Sequence, residues 1–233
     1  MKKTVFITGI TVAVVLLAMG CSNPAGGSGD SGGNLGTGPL ILKGRIYEEG
    51  FPAPPSYTLS YTPTNKIGML TASTSEVAAI TNGSFEITVT PSSSLVSFST
   101  VAGEYFSDWA NVTSNNGSAL FEALELTTSS GTIGNGYLFR ERFQTSVKGS
   151  NYTATGQEVY YFYVNADVTI TGGNKTDSDG VVYKAFALDL QEGWNAVCGR
   201  SVSTYTSEFD EVESGTVTLS ISNPADLYWV FYD

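Results

Sequence analysis

The chain has 233 residues, a formal net charge of −11 at pH 7 and no histidine. The negative charge argues against nucleic acid as a partner and against electrostatic binding to anionic lipid headgroups. The lack of histidine excludes Ser-His-Asp and Cys-His nucleophile pairs, imidazole acid–base catalysis and most zinc enzymes. Chemistry that uses only carboxylates stays open.

The first twenty residues have the pattern of an export signal. Lys2 and Lys3 precede an uncharged, apolar run over residues 5–20 that ends in small residues. A membrane-spanning helix needs about 20 apolar residues, and this run is shorter. Residues 1–20 are therefore predicted to be a cleaved lipoprotein signal peptide, and an uncleaved helical anchor is the alternative.

The end of this run is Leu17-Ala18-Met19-Gly20-Cys21. It resembles the lipobox of bacterial lipoproteins, in which a small residue precedes a cysteine that receives diacylglycerol and becomes the mature N-terminus. The resemblance implies signal cleavage between Gly20 and Cys21 and lipid attachment at Cys21. Two positions differ from the family pattern, because Ala18 stands where leucine is usual and Met19 is bulkier than usual. Ordinary cleavage without a lipid is the alternative.

Residues 21–39 are rich in Gly, Ser and Asn and contain one charged and one large apolar residue. Such a segment cannot bury much surface, so it predicts a flexible tether behind the lipidated Cys21. The membrane is then a partner through the N-terminal lipid. An exported protein on the cell envelope is expected, and Ser22 after the cysteine, in place of an aspartate, favours the outer membrane.

From residue 40 onward, apolar and polar residues alternate with the period of half-buried strands. Glycine-containing and proline-containing turn pairs such as Asn82-Gly83 and Asn223-Pro224 separate the runs. The pattern predicts an all-β fold, with one or two β-sandwich domains after the flexible lipoprotein tether. Residues 119–126 are the one candidate for a short helix. A less regular stretch places a domain boundary near residue 129, which gives domains over 40–128 and 129–233.

Residues 40–101 resemble a transthyretin-like sandwich of the kind called carboxypeptidase regulatory-like. The resemblance depends on turn and strand residues: Gly44-Arg45-Ile46, Pro52, Pro54, Pro55, Asn82-Gly83-Ser84-Phe85 and Pro91. It implies a structural or adhesive module without catalytic residues.

The longest alternation covers residues 160–171. Its even positions, from Tyr160 to Ile170, are predicted to be buried continuously. Tyr161 and Tyr163 then lie on the exposed face, where they form a candidate ligand face for sugar rings or partner proteins. The alternative is that another sheet or domain covers them.

Three further residues are predicted to lie in the core. Trp194 and Trp229 stand in apolar runs, and Cys198 is expected to behave as a small buried apolar residue. Because Cys21 is predicted to carry lipid, Cys198 has no partner for an internal disulfide.

The segment from Glu208 to Glu213 matches an E-x-D-x-x-E motif and resembles jelly-roll β-glucanases and related retaining glycosidases. The resemblance implies that Glu208 is the nucleophile, Asp210 supports it and Glu213 is the acid/base. Glu211 departs from the family, which has an apolar residue there. Few residues follow the motif, and Ser214-Gly215 directly after it favours an acidic turn without catalytic function.

Asn174, Asp177 and Asp179-Gly180 have some features of a calcium loop, since alternate oxygen side chains before a glycine can surround a hard cation. Lys175 stands where a first aspartate would be needed, and no distal glutamate completes the set. A polar hairpin turn is therefore predicted, without a metal.

These features together predict a membrane-anchored envelope lipoprotein with a non-catalytic binding or structural role. A carbohydrate or a protein is a possible ligand, and no cofactor, metal or nucleic acid is expected. The alternative is a carbohydrate-active enzyme that uses Glu208 and Glu213.

Overall fold

The computed structural model describes residues 33–50, 60–148, 151–205 and 212–233. These residues form nineteen strands and one helix, so the all-β prediction is confirmed. In chain order they are β1 (Asn34–Gly36), β2 (Leu40–Gly50), β3 (Ser60–Pro63), β4 (Gly68–Ala72), β5 (Val77–Ile80), β6 (Ser84–Val89), β7 (Val96–Ser97), α1 (Phe98–Tyr105), β8 (Ala110–Ser114), β9 (Leu120–Ala123), β10 (Leu126–Ser129), β11 (Gly136–Lys148), β12 (Asn151–Val164), β13 (Val168–Gly173), β14 (Lys175–Thr176), β15 (Val181–Tyr183), β16 (Phe186–Leu190), β17 (Gly193–Tyr205), β18 (Val212–Ile221) and β19 (Tyr228–Tyr232).

The helix lies at a different place from the predicted one. Residues 119–126 contain β9 and the start of β10, so the helix prediction there is wrong. Phe121 is fully buried and pairs with Val164 of β12, and this pairing gives the short apolar segment a strand conformation. No helix in the described part of the chain is long and apolar enough to cross a membrane.

Four long antiparallel neighbours, β11, β12, β17 and β18, form a central sheet. The β12–β17 ladder runs without interruption from Tyr152 opposite Tyr205 to Val164 opposite Gly193. Each face of this sheet covers a separate hydrophobic core. The arrangement is sandwich-like, with packed layers on both sides of the central strands.

The first core lies between the central sheet and strands from both ends of the chain, which include β2, β4, β6 and β19. Its large side chains include Leu42, Ile46, Leu70, Ile87, Tyr161, Trp194 and Trp229. The second core lies between the opposite face and a layer formed by α1, β9 and the separate three-stranded sheet β16–β13–β8. Its large side chains include Phe106, Trp109, Phe121, Phe162, Ile170 and Leu188. The predictions that Trp194, Trp229 and Cys198 are buried are confirmed.

The described packing does not divide at residue 129. Strand β10 ends there, and it pairs with β4 on one side and β11 on the other. Both cores combine side chains from before and after this point. The predicted boundary between 40–128 and 129–233 is therefore not a boundary between the cores.

The last part of the predicted tether, 21–39, is structured. Strand β1 pairs with β17, and the Gly33 carbonyl accepts a hydrogen bond from the Ala196 amide at 2.6 Å. Leu35 also packs against the first core. The prediction of a flexible segment is therefore wrong for residues 33–36, and residues 21–32 lie outside the described part of the chain.

The long alternation over 160–171 is not one strand. Strand β12 ends at Val164 and β13 begins at Val168 in a different sheet. Among the even positions, Phe162, Val164, Val168 and Ile170 are buried, whereas Tyr160 and Ala166 are only half-buried. The prediction that this face is buried continuously is therefore wrong at Tyr160 and Ala166.

Candidate functional site

The candidate site is a groove that forms where the C-terminal strand begins. Strand β19 lies between β2 and β11. It pairs in parallel with β2 from Trp229 opposite Ile46, and antiparallel with β11 from Tyr228 opposite Glu141. Upstream of Tyr228, residues 223–227 leave this ladder and border a groove of about 540 Å³ together with β2 and β11. Sites for small molecules commonly have volumes of about 300–1,000 Å³.

The lining of the groove is basic although the chain is acidic. Of the chain's 11 basic residues, Lys43, Arg45, Arg140 and Arg142 are among the described residues that line it. Asp226 is the one acidic side chain among the described residues that line it. This excess of positive side chains in the lining favours an anionic ligand.

The acceptors that hold the Arg140 guanidinium are neutral. Its Nη1 donates to the Tyr161 hydroxyl at 2.7 Å and to the Asn223 side-chain oxygen, and its Nη2 donates to the Pro224 carbonyl at 2.7 Å. These bonds hold the Arg140 side chain in place and attach it to the connection formed by residues 223–227. No carboxylate among the described residues forms an ion pair with Arg140, so its charge is not neutralised locally.

Aromatic rings pack beside Arg140. Its guanidinium carbon lies 5.9 Å from the centre of the Trp229 ring, a cation–π distance. Trp229 stacks on Tyr161 with ring centres 6.3 Å apart and an interplanar angle of 19°. Burial raises the pKa of the Tyr161 hydroxyl, although the Arg140 charge acts in the opposite direction, so the hydroxyl stays neutral.

Gly44 makes room for this arrangement. A Cβ at this position would lie 2.5 Å from the Trp229 Cδ1 and 2.8 Å from its Nε1. The absence of a side chain on β2 allows the indole to approach the strand, as glycine commonly does where another group packs on a backbone.

The other three cations differ in their pairing. Arg142 forms an ion pair with Asp226, and Lys43 lies 3.9 Å from the exposed carboxylate of Glu86. The exposed Arg45 donates to the Asn65 side-chain oxygen at 2.7 Å.

The predicted ligand face of Tyr161 and Tyr163 is not an exposed platform. Tyr161 is 4% exposed, and Tyr163 is half-buried with its ring edge against Trp194 at 5.5 Å. Both rings pack on the first core, while Phe162 and Val164 on the other face of β12 pack in the second. Tyr161 nevertheless lines the groove, whereas Tyr163 is not among its lining residues.

Sequence reasoning missed Arg140 and Arg142. They share one face of β11 with the buried Leu138, and the opposite face presents Phe139 and Glu141, so neither face of this strand appears apolar. The sequence does contain one indication of the site, because two arginines at i and i+2 in a strand are unusual in an acidic chain. Their meeting with β2 and residues 223–227 depends on tertiary structure.

A cluster of carboxyl groups, Glu49, Glu141 and Glu158, lies on the other face of β11. Glu141 is 5% exposed and stands directly opposite Glu158 in the β11–β12 ladder. The Tyr232 hydroxyl donates to Glu141 and lies 3.2 Å from an oxygen of Glu49, and the Tyr160 hydroxyl donates to Glu158 at 2.6 Å.

Burial raises the pKa of Glu141 well above its usual range, and the charge of Glu158 raises it further. Desolvation also raises the pKa values of Glu158 and Glu49, against the lowering effect of their tyrosine partners. Protonation of Glu141 removes the repulsion between its negative charge and that of Glu158, which faces it across the ladder. With 5% exposure, Glu141 is almost completely shielded from solvent.

The glycosidase-like motif is only partly described. Glu208, Asp210 and Glu211 lie outside the described residues, and Glu213 is exposed. Ser214-Gly215, predicted as a turn, lies inside β18 opposite Thr204 and Ser203, so the turn prediction is wrong. Ladder pairing with β17 holds this Ser-Gly pair in the strand.

The polar hairpin turn predicted between residues 171 and 181 is confirmed. Strands β14 and β15 pair across the turn, and an oxygen of Asp177 accepts hydrogen bonds from the amides of Asp179 at 3.0 Å and Val181 at 2.9 Å. The Asn174 side chain accepts from the Ala185 amide. Within the described ranges, no three Asp, Glu, Cys or His residues are grouped so that they could hold a metal ion.

Comparisons with protein-family models, curated proteins and solved structures find no match to this chain. The resemblances of residues 40–101 to a transthyretin-like module and of residues 208–213 to retaining glycosidases stay predictions.

Proposed function

We propose that the chain is a membrane-anchored envelope lipoprotein with a non-catalytic binding role, and that the groove is its ligand site. The observation that carries this proposal is the concentration of basic side chains in the groove of an otherwise acidic chain. Arg140 contributes most, because its guanidinium is held by neutral acceptors and keeps its full charge for a ligand.

The chemistry of the lining supports binding without catalysis. Guanidinium and ammonium groups are hydrogen-bond donors without a free lone pair, so they bind anions but do not act as general bases. Among the described lining residues, Asp226 supplies the only carboxylate, and it forms an ion pair with Arg142. General acid–base catalysis needs a group whose pKa lies near the working pH, and carboxylate-based glycoside hydrolysis needs two carboxyl groups.

Anchoring is tested by replacing the cysteine of the predicted lipobox. Cys21→Ala is expected to move the protein from the membrane fraction to the soluble fraction and to abolish labelling by a radioactive fatty acid. Cys198→Ala is the matched control and should leave both unchanged, since Cys198 is buried in the first core. Full membrane retention of Cys21→Ala would instead support an uncleaved helical anchor.

Anion binding is tested with citrate and inorganic sulfate on the detergent-solubilised, full-length protein. Either probe is expected to shift the indole N–H resonance of Trp229, while the resonance of the fully buried Trp194 stays in place. Arg140→Gln should weaken binding at least about tenfold, because a hydrogen bond to a charged group contributes about 1.5–3 kcal/mol.

Lys184→Gln is the control for this change, since it removes an exposed charge outside the groove. It should alter affinity less than about twofold, as expected for a distant, screened charge. Equal loss of affinity in Arg140→Gln and Lys184→Gln, or no binding of either anion to the wild type, would contradict a groove site.

A further inference from the structure

We infer that the groove binds an acidic oligosaccharide, with the carboxylate of a uronate-type sugar against Arg140. This inference rests on the proposed binding role of the groove and adds the chemical class of its ligand. It depends on three features of the lining: a guanidinium with donors to spare, half-buried aromatic rings, and polar groups that can bind hydroxyls.

The guanidinium fits a carboxylate. The described acceptors of Arg140 use three of its five N–H groups, which leaves two donors for a ligand. Two parallel N–H donors match the two oxygens of a carboxylate and bind it more strongly than a neutral group. Arg45, exposed on β2, adds a second cation to the same groove.

The aromatic lining fits the apolar face of a sugar ring. Tyr47 and Tyr228 are half-buried and border the groove from the sheet face opposite to Arg140, since Tyr228 pairs with Glu141 and Tyr47 with Val230. Tyr228 stacks on Tyr61 with ring centres 4.6 Å apart, and its ring meets Tyr47 at 4.8 Å with an interplanar angle of 65°. The contacts hold these rings in fixed orientations, so little side-chain entropy is lost when a ring packs on them.

Polar residues line the same groove. Asn223, Tyr161 and Asp226 already accept hydrogen bonds from Arg140 or Arg142, and the Asn223 amide nitrogen and the second Asp226 oxygen can still bind sugar hydroxyls. A few placed polar groups among apolar ones are the usual composition of a small-molecule site.

An acidic peptide fits this groove less well than a sugar. A peptide that adds to a sheet needs an open strand edge. The position upstream of Tyr228, between β2 and β11, is crossed by the chain's own residues 223–227. Hydrogen bonds from Arg140 and Arg142 to Pro224 and Asp226 hold this connection in place. An added strand would have to displace it.

The test compares acidic oligosaccharides with matched ligands on the detergent-solubilised, full-length protein by isothermal titration calorimetry. The acidic probes are tetrasaccharides of galacturonate, glucuronate and mannuronate, and each has its methyl ester as an uncharged control. At least one acidic tetrasaccharide is expected to bind about tenfold or more tightly than its ester, than citrate and than tetraglutamate, with an affinity that falls as salt rises.

Two variants separate the charge from the ring contact. Arg45→Gln should weaken binding of the acidic tetrasaccharide and of citrate alike, and its exposed position keeps the fold intact even if Arg140→Gln destabilises residues 223–227. Tyr47→Ala should weaken the tetrasaccharide at least fivefold and leave citrate within about twofold, because only the sugar uses the ring.

Each remaining outcome overturns the inference. Equal affinity for citrate and for every acidic tetrasaccharide would leave an anion site without sugar recognition, and the proposed binding role would survive. Tighter binding of tetraglutamate would identify a peptide ligand. Absence of binding by citrate, sulfate and all tetrasaccharides would overturn both the inference and the proposed function.

Discussion

Replacing Glu141 with glutamine is expected to stabilise the fold at pH 8 and to change it little at pH 4. Glu141 is 5% exposed and stands opposite Glu158, with Glu49 close to the same tyrosine hydroxyl. Above the raised pKa, the folded state must hold a buried carboxylate beside other carboxyl groups. Glutamine keeps the acceptor for the Tyr232 hydroxyl and removes the charge.

Proton linkage determines how the stability of the fold changes with pH. Because burial raises the pKa of Glu141, the folded state keeps a proton that the unfolded state has already released. The stability that this proton contributes is present at low pH and is lost as pH rises through the raised pKa. Glu158 and Glu49, whose pKa values are also raised, contribute with the same sign. For each proton that only the folded state holds, the free energy of unfolding falls by about 1.4 kcal/mol per pH unit.

The expected gain at pH 8 is about 1–3 kcal/mol, which is the usual cost of a buried polar group without full compensation. Urea denaturation of the wild type and of Glu141→Gln at pH 4, 6 and 8 would measure it. The exposed Glu192, replaced by glutamine, is the control and should change stability by less than about 0.5 kcal/mol at each pH. Equal destabilisation by Glu141→Gln at all three pH values would refute this reasoning, since it would mean that the fold requires an ionised Glu141.

Two further predictions concern packing, and both are measured by urea denaturation. Tyr161→Ala should cost about 3–5 kcal/mol, as much as Phe162→Ala, because these neighbours are 4% and 1% exposed in different cores. A loss below about 1 kcal/mol for Tyr161→Ala would contradict its burial. Gly44→Ala should cost about 1–3 kcal/mol and shift the fluorescence of Trp229, whereas Gly38→Ala, with open space around its Cα, should cost little. Equal effects of both glycine changes would show that the indole does not pack on β2.

Period-two alternation predicted strands reliably where one face meets water. In β6, Phe85, Ile87 and Val89 are buried and the residues between them are exposed, as the sequence indicates. The same rule failed for β12, because a strand with a core on each side is apolar on both faces. The run Tyr160-Tyr161-Phe162-Tyr163-Val164 already has this composition, and the tyrosine hydroxyls made one face look exposed.

The candidate site could not be predicted because its parts are far apart in the chain. Arg45, Arg140 and Asn223 come from β2, β11 and the connection before β19. No local period brings them together, and the parallel β2–β19 pairing joins the two ends of the chain. Sequence alone gave the net charge, but it could not show that the basic residues are gathered in one place.

The groove has its origin in the length of β19. This strand has 5 residues, whereas its neighbours β2 and β11 have 11 and 13, so it pairs with only part of each. The unmatched part is bordered by residues 223–227, and Arg140 and Arg142 hold this connection to β11. Their alternate neighbour Glu141 points to the opposite face, so one strand separates a basic groove from a buried acidic cluster. A ligand in the groove contacts residues 223–227 directly before β19. At a concentration of 100 times its Kd, a ligand that binds only the folded state would raise the free energy of unfolding by about 2.7 kcal/mol.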